Sequence, residues 1–138
     1  MALKITDVAK SAAEVGIDAV TIDNGATAVG AELDRGENVA VEGVTALLTV
    51  TGFAAAPSAG GYMSVRLAPL DGTGGTLFDD GIGAAVVPVA ADALYNAAVT
   101  LTWPAGARYV KAIVKNVSGQ NTDADAVSLE LRWQAVTT

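Results

Sequence analysis

The sequence predicts an all-β fold, a single antiparallel β-sandwich of about eight strands in a jelly-roll-like arrangement. Three observations predict it. Apolar residues recur at every second position through most of the chain, and Gly, Asn and Asp interrupt these runs at short intervals. Ala, Val, Gly and Thr make up over half of the 138 residues, and such small and β-branched side chains suit thin sheets. No helical pattern separates the runs, which favours antiparallel pairing.

Residues 1–16 precede the alternating pattern, and we expect them to form an N-terminal arm or a short helix. Thr6 or Asp7 is placed to cap such a helix, and Gly16 is placed to end it. Two alternatives stand for this segment: a terminus that lies against its own domain, or an arm that docks on a neighbouring subunit. The sandwich domain then spans residues 17–138.

In the first half of this domain, alternation predicts short strands that end at turn residues. Asn24-Gly25 and Asp34-Arg35-Gly36 carry the turn signals. The run at 62–70 places apolar residues inward at odd positions, with Ser64 and Arg66 outward. Strands are expected at Val20–Ile22, Val39–Val41, Val44–Val50 and Tyr62–Leu70.

The second half has the clearest alternation. Pro88 cannot donate a hydrogen bond to a sheet, so its strand is expected at an edge. The aromatic and leucine residues of the last runs are predicted to be core anchors: Trp103, Leu129, Leu131 and Trp133. Strands are expected at Thr76–Phe78, Ala84–Val89, Val99–Trp103, Arg108–Val117 and Val127–Ala135.

The composition excludes several classes of chemistry. The chain has no Cys and no His, so it has no disulfides, no thiolate nucleophiles, no cysteine-ligated zinc and no imidazole catalysis. Fifteen acidic against eight basic residues give a net charge of -7, which repels nucleic-acid phosphates. We therefore expect no enzymatic activity, no cofactor, no metal centre, no nucleic-acid partner and no membrane partner.

Two acidic motifs leave other functions open. Asn121, Asp123 and Asp125 alternate like the first half of a calcium loop, but Ala126 stands where that loop needs Gly. Turn chemistry alone explains Asn and Asp at such positions. Asp71, Asp79 and Asp80 could pair as glycosidase carboxylates if their two Gly-rich loops met. Water in such loops keeps the pKa values of carboxylates in their usual range, whereas a glycosidase needs one raised pKa. This disfavours a small hydrolase.

Two groups of residues are candidates for contact with a partner. Leu3, Ile5 and Val8 give the N-terminal segment an apolar character. Arg108, Lys111 and Lys115 form a basic cluster in a chain whose N-terminal half is acidic. This uneven charge distribution has two interpretations. Either the charged residues are simply solvated on strand faces, or they mediate contact, head to tail between subunits or with an acidic shell.

The stretch Leu101–Gly119, LTWPAGARYVKAIVKNVSG, resembles tailed-phage virion proteins, and Asp71–Asp92 before it is similar to capsid decoration (cement) proteins. The likeness lies in composition and general features: both are rich in Ala, Gly, Thr and Val, rich in β-structure, free of Cys and His, and begin with a short N-terminal arm. It implies a small subunit, often a trimer, that sits outside the phage head and clamps neighbouring copies of the major capsid protein. It implies no catalytic residues and a virion location after assembly in the host cytoplasm.

A second hypothesis belongs to a different class of protein. A carbohydrate- or receptor-binding sandwich of a phage tail or spike would have a similar composition, but it needs exposed aromatic platforms. Burial of Trp103 and Trp133 would count against it.

Overall fold

The computed structural model describes residues 2–70 and 84–138, and in these ranges the chain folds as a sandwich of two antiparallel sheets. This confirms the predicted all-β class. One short helix, α1 (Ala12–Val15), accompanies the strands. The nine strands of the described residues are β1 (Lys4–Lys10), β2 (Thr27–Val29), β3 (Leu33–Asp34), β4 (Ala40–Val50), β5 (Tyr62–Pro69), β6 (Ala85–Pro88), β7 (Tyr95–Leu101), β8 (Tyr109–Val117) and β9 (Val127–Thr137).

The strand pairs are nested. The first sheet has the order β1-β9-β4-β7 and the second has the order β2-β8-β5-β6, with β3 pairing with β8 beside β2. The first strand therefore pairs with the last, β2 and β3 with β8, β4 with β7, and β5 with β6. This is the order of a jelly roll, in which one long hairpin is wound into two sheets. Among the described strands, β6 with Pro88 lies at the edge of its sheet, as predicted.

The core lies between the inner faces of the two sheets. All four predicted anchors are buried in it, and Leu129 and Leu131 have no exposed surface. The rings of Trp103 and Trp133 are tilted against each other with centroids 5.2 Å apart. The indole Nε1 of Trp103 donates to the carbonyl of Ala107 at 2.8 Å, whereas the buried Nε1 of Trp133 has no hydrogen-bond partner among the described residues.

A β-bulge joins two runs that the sequence separates. β4 begins at Ala40 and includes both Val41 and the predicted strand Val44–Val50, and its register against β9 shifts between Glu42 and Thr45. Gly43 has a φ of +64°, which an L side chain adopts only with strain. The extra residue lets Val41 and Val44 both face the core although they are three positions apart.

The prediction for the N-terminal segment was wrong in its details. Residues 4–10 form a strand, because they pair with β9 over their whole length, and neither Thr6 nor Asp7 caps a helix. The cap is Ser11, whose hydroxyl accepts from the amide of Glu14 while the Glu14 carboxylate accepts from the amide of Ser11. Gly16, with a φ of +84°, ends the helix as predicted.

Other boundaries also shift. The predicted strand at Val20–Ile22 is wrong, since Val20 makes only an isolated bridge to Val127, and β2 begins after the Asn24-Gly25 turn. β7 ends before Trp103. The predicted strand at Thr76–Phe78 lies outside the described residues.

The two tryptophans offer a matched test of the core. Trp103→Phe and Trp133→Phe remove similar volumes, but within the described part of the chain only the first removes a hydrogen bond. We expect Trp103→Phe to lower the free energy of unfolding by about 1 kcal/mol more than Trp133→Phe. Urea denaturation followed by circular dichroism measures both. An equal or larger loss in Trp133→Phe would mean that its Nε1 has a partner in solution.

Candidate functional site

The sandwich separates the six predicted contact residues onto different surfaces. Leu3, Ile5 and Val8 lie on or just before β1 in the first sheet, whereas Lys111 and Lys115 lie on β8 in the second sheet. Arg108 immediately precedes β8. The six residues therefore do not form one site, and the two groups are described as two surfaces.

The first surface is an apolar patch at the free edge of the first sheet. Leu3 is 67% exposed and Ile5 is 61% exposed. Ile5 pairs with Val136, which in turn pairs with Ala40, so three apolar side chains cross three strands in one row. We call Leu3, Ile5, Ala40 and Val136 the β1 patch. Val8 is not part of it, because that side chain is half-buried and packs on the core.

The backbone of β1 adds to this surface. One side of β1 pairs with β9, and in the described parts of the chain no strand pairs with its other side. The residues from Lys4 to Asp7 are exposed on both faces of the sheet. An edge strand with free amides and carbonyls can accept a further strand, and exposed apolar side chains on it add to the binding energy. The β1 patch can therefore hold an extended segment or an apolar surface of a partner.

The second surface is the outer face of the second sheet. Lys111 and Lys115 point outward from β8, and Arg66 points outward from β5, where its register partner is Ile113. We call Arg66, Lys111 and Lys115 the basic face. Ile113 between them is only 2% exposed although it lies on the outer side. Arg66 was predicted to face outward but not to join the basic cluster, because its place beside β8 depends on a strand register that local sequence does not give.

Arg108 is engaged within the chain. Its Nε and Nη2 donate to the two carboxylate oxygens of Asp34 at 2.9 and 3.1 Å, and its guanidinium lies 5.0 Å from the centre of the Tyr109 ring. Hydrogen bonds from Arg108 lower the pKa of the Asp34 carboxyl, and the bond from the Gly36 amide lowers it further. Asp34 in return raises the pKa of Arg108. This pair joins β3 to the start of β8 and leaves Arg108 less available to a partner.

Two of the predicted calcium residues are hydrogen-bonded to residues about a hundred positions away in the sequence. The side-chain oxygen of Asn121 accepts from the amide of Asn24 at 2.8 Å, and the amide of Asp125 donates to the hydroxyl of Thr21 at 3.0 Å. Residues 2–70 and 84–138 contain no group of three or more acidic side chains gathered to hold a metal ion. The acidic trio proposed for a hydrolase lies outside the described residues: Asp71, Asp79 and Asp80.

A cavity of about 470 Å³ opens between the loop 103–106 and the segment 35–41, which leads into β4. Arg35 fixes its wall, because Nε donates to the carbonyl of Ala107 at 2.8 Å and Nη1 donates to two carbonyls of the segment 35–41. Trp103 contributes to the lining but is only 8% exposed, and Trp133 is 3% exposed. Neither indole offers an open face on which a sugar ring could stack.

Comparisons with known proteins do not assign the chain to a family. No protein-family model matches it, and no curated protein is found as its relative. Within the described residues, no helix has the length and the apolar character that crossing a bilayer requires. Functional inference therefore rests on the two surfaces and on the residues that form them.

The ion pair at β3 predicts a pH-dependent contribution to stability. Because the pKa of Asp34 is lower in the folded state, the stabilisation is present above its ordinary value of 3.8 and is lost as the pH falls through the folded-state pKa. Both side chains are about two-fifths exposed, so we expect Asp34→Asn to cost about 0.2–1 kcal/mol near pH 7.

Urea denaturation of the unmodified protein and of Asp34→Asn, near neutral pH and near about pH 2.5, measures this contribution. The difference between the two proteins should shrink at the acidic pH. Asp18→Asn, which changes an exposed carboxylate elsewhere, is the control. A difference that stays constant across the pH range would contradict the assignment.

Proposed function

We propose that the protein is a non-enzymatic structural protein of a tailed-phage virion, a capsid decoration protein that binds neighbouring subunits of the major capsid protein on the outside of the head. The observation that carries the proposal is the β1 patch: the large apolar side chains of Leu3, just before β1, and of Ile5, on β1, are exposed at an edge of the described sandwich, whose tryptophans are buried. Such a patch is typical of a surface that another protein covers.

The fold is compatible with a role in a capsid. Jelly rolls occur in viral capsid domains, where two sheets give a compact block with flat outer faces. They occur in lectin domains and other proteins as well, so the fold alone selects no function. The resemblance of Leu101–Gly119 and its neighbourhood to virion proteins, together with the absence of Cys and His, makes the capsid role the preferred one.

Such a protein functions by burying surface against its partners and not by catalysing a reaction. A specific interface buries about 1,600 Å² in total, and repetition over a shell multiplies weak contacts through avidity. We assign the contact with the capsid to the β1 patch, because its exposed side chains and free backbone groups face away from the rest of the sandwich. Association between copies, expected as trimers, adds to the avidity. Nucleic acid and membrane are not proposed as partners.

A carbohydrate- or receptor-binding module of a phage tail or spike is the second candidate. The 470 Å³ cavity favours it, because its volume falls in the range of about 300–1,000 Å³ that small ligands occupy. The burial of Trp103 and Trp133 disfavours it, since sugar sites use exposed aromatic faces. The capsid role therefore ranks first.

Binding to capsid shells tests the proposal. Shells of the encoding phage, assembled from the major capsid protein alone, are mixed with the protein and sedimented. Replacing Leu3 and Ile5 by Ser together should weaken binding at least about 100-fold, because burying each side chain contributes about 1.5–3 kcal/mol. Unmodified protein that stays in the supernatant would refute the capsid role.

The control for this experiment is Leu47→Ser. Leu47 is an apolar residue on the outer face of the same sheet, 36% exposed and away from the β1 patch. It should leave shell binding within about twofold of the unmodified protein. If the Leu3 and Ile5 replacements bind shells as well as this control does, the β1 patch is not the contact.

A further inference from the structure

One end of the sandwich has a single sign of charge. β4 ends at Val50 beside the first residues of β7 and β9, and β5 begins beside the ends of β6 and β8, so four connections meet at this end. These connections, residues 17–26, 51–61, 89–94 and 118–126, contain no Lys and no Arg. They carry five exposed carboxylates, which we call the acidic end: Asp18, Asp23, Asp92, Asp123 and Asp125.

The loops of the acidic end are tied to one another. The side-chain amide of Asn116 is buried and donates to the carbonyls of Ile22 and Gln120 at 2.9 and 2.8 Å. The side-chain oxygen of Asn24 accepts from the amide of Gly119 at 3.0 Å. The carboxylates therefore stand on a surface held by hydrogen bonds across loops that are about a hundred residues apart in sequence, which lowers the entropy cost of docking.

The basic face has the opposite sign and lies on the outer side of the second sheet, with Lys115 two residues from the end of β8 that meets the acidic end. The strands β2, β5, β6 and β8 contain no Asp and no Glu, and the single carboxylate of β3, Asp34, is bound by Arg108. Lys111 and Lys115 make no ion pair within the described residues. Of the basic face, Lys115 is exposed and Lys111 is half-buried, so two lysines place positive charge on the outer side of the second sheet in a chain whose net charge is -7.

We infer that copies of this chain associate head to tail, the basic face of one copy docking on the acidic end of the next. The charges of the two surfaces are complementary, and oppositely charged surfaces steer and orient association. Repulsion between the net charges of two copies is screened beyond about 8–10 Å at moderate salt, whereas the docked side chains approach more closely than this.

The position of the β1 patch is compatible with this contact. The exposed residues of β1 pair with the last residues of β9, so they lie at the end of the first sheet opposite to the acidic end. The basic face belongs to the second sheet. A head-to-tail contact uses two different surfaces and closes into a ring or continues as a filament. It leaves the β1 patch of every copy free for the capsid, and in this respect the inference rests on the proposed function.

Light scattering after size exclusion tests the inference. We expect the unmodified protein to self-associate at about 50 mM salt and to do so at least tenfold more weakly at about 500 mM. One variant carries Lys111→Glu and Lys115→Glu, and a second carries Asp18→Lys and Asp23→Lys. Each alone should be monomeric, and an equimolar mixture of the two should associate again, because each surface then meets one of opposite charge.

The control carries Lys4→Glu and Arg132→Glu on the first sheet, with the same change in net charge as the first variant. It should associate like the unmodified protein. Strictly monomeric protein at low salt, an equal loss in the control, or a mixture that fails to associate would each overturn the inference.

Shell sedimentation separates this inference from the proposed function. If the variant with Lys111→Glu and Lys115→Glu self-associates normally but no longer sediments with shells, the basic face contacts the capsid and not a second copy, and the inference falls. If the unmodified protein self-associates through these two surfaces but does not bind shells, the inference of head-to-tail contact is supported. The proposed capsid role is then refuted.

Discussion

The pairing of β9 with two partners is the constraint on which the rest of the structure depends. β9 lies between β1 and β4, and its inner face carries Leu129, Leu131 and Trp133, all buried. The last strand therefore fixes the first one in place and supplies a large part of the core. Without it, β1 would have no hydrogen-bonding partner in the described residues, and Trp103 would lose the ring against which it packs.

Burial explains how much of the fold could be predicted. β5, β8 and β9 are buried on one face, so their alternation is strong, and their positions and inward faces follow from the sequence. β1 is mostly exposed on both faces, so it has little alternation to recognise. It forms because it pairs with residues more than a hundred positions away, and local patterns do not encode such a pairing. The continuity of β4 was not predicted either, because the bulge at Gly43 interrupts the two-residue alternation.

The candidate surfaces were predicted less completely than the fold. Residue types singled out Leu3, Ile5, Lys111 and Lys115, but only the strand order shows that the apolar and the basic residues lie on different sheets. Arg66 joins the lysines through the register of β5 against β8. The acidic end likewise unites carboxylates from loops that are distant in sequence. Charge in the described residues is thus segregated by topology, with carboxylates on the loops of one end and lysines on the outer side of the second sheet.

Hydrogen–deuterium exchange of the β1 amides, measured for the free protein and for the protein on capsid shells, tests the central claim most directly, namely that the protein acts by covering its β1 patch. In the free protein, the amides of residues 4–7 are predicted to exchange rapidly, since this part of the strand is exposed on both faces. On shells they should become protected while the exchange of the β8 and β9 core stays as it is. Bound protein in which the β1 amides exchange as fast as in the free state would contradict the account.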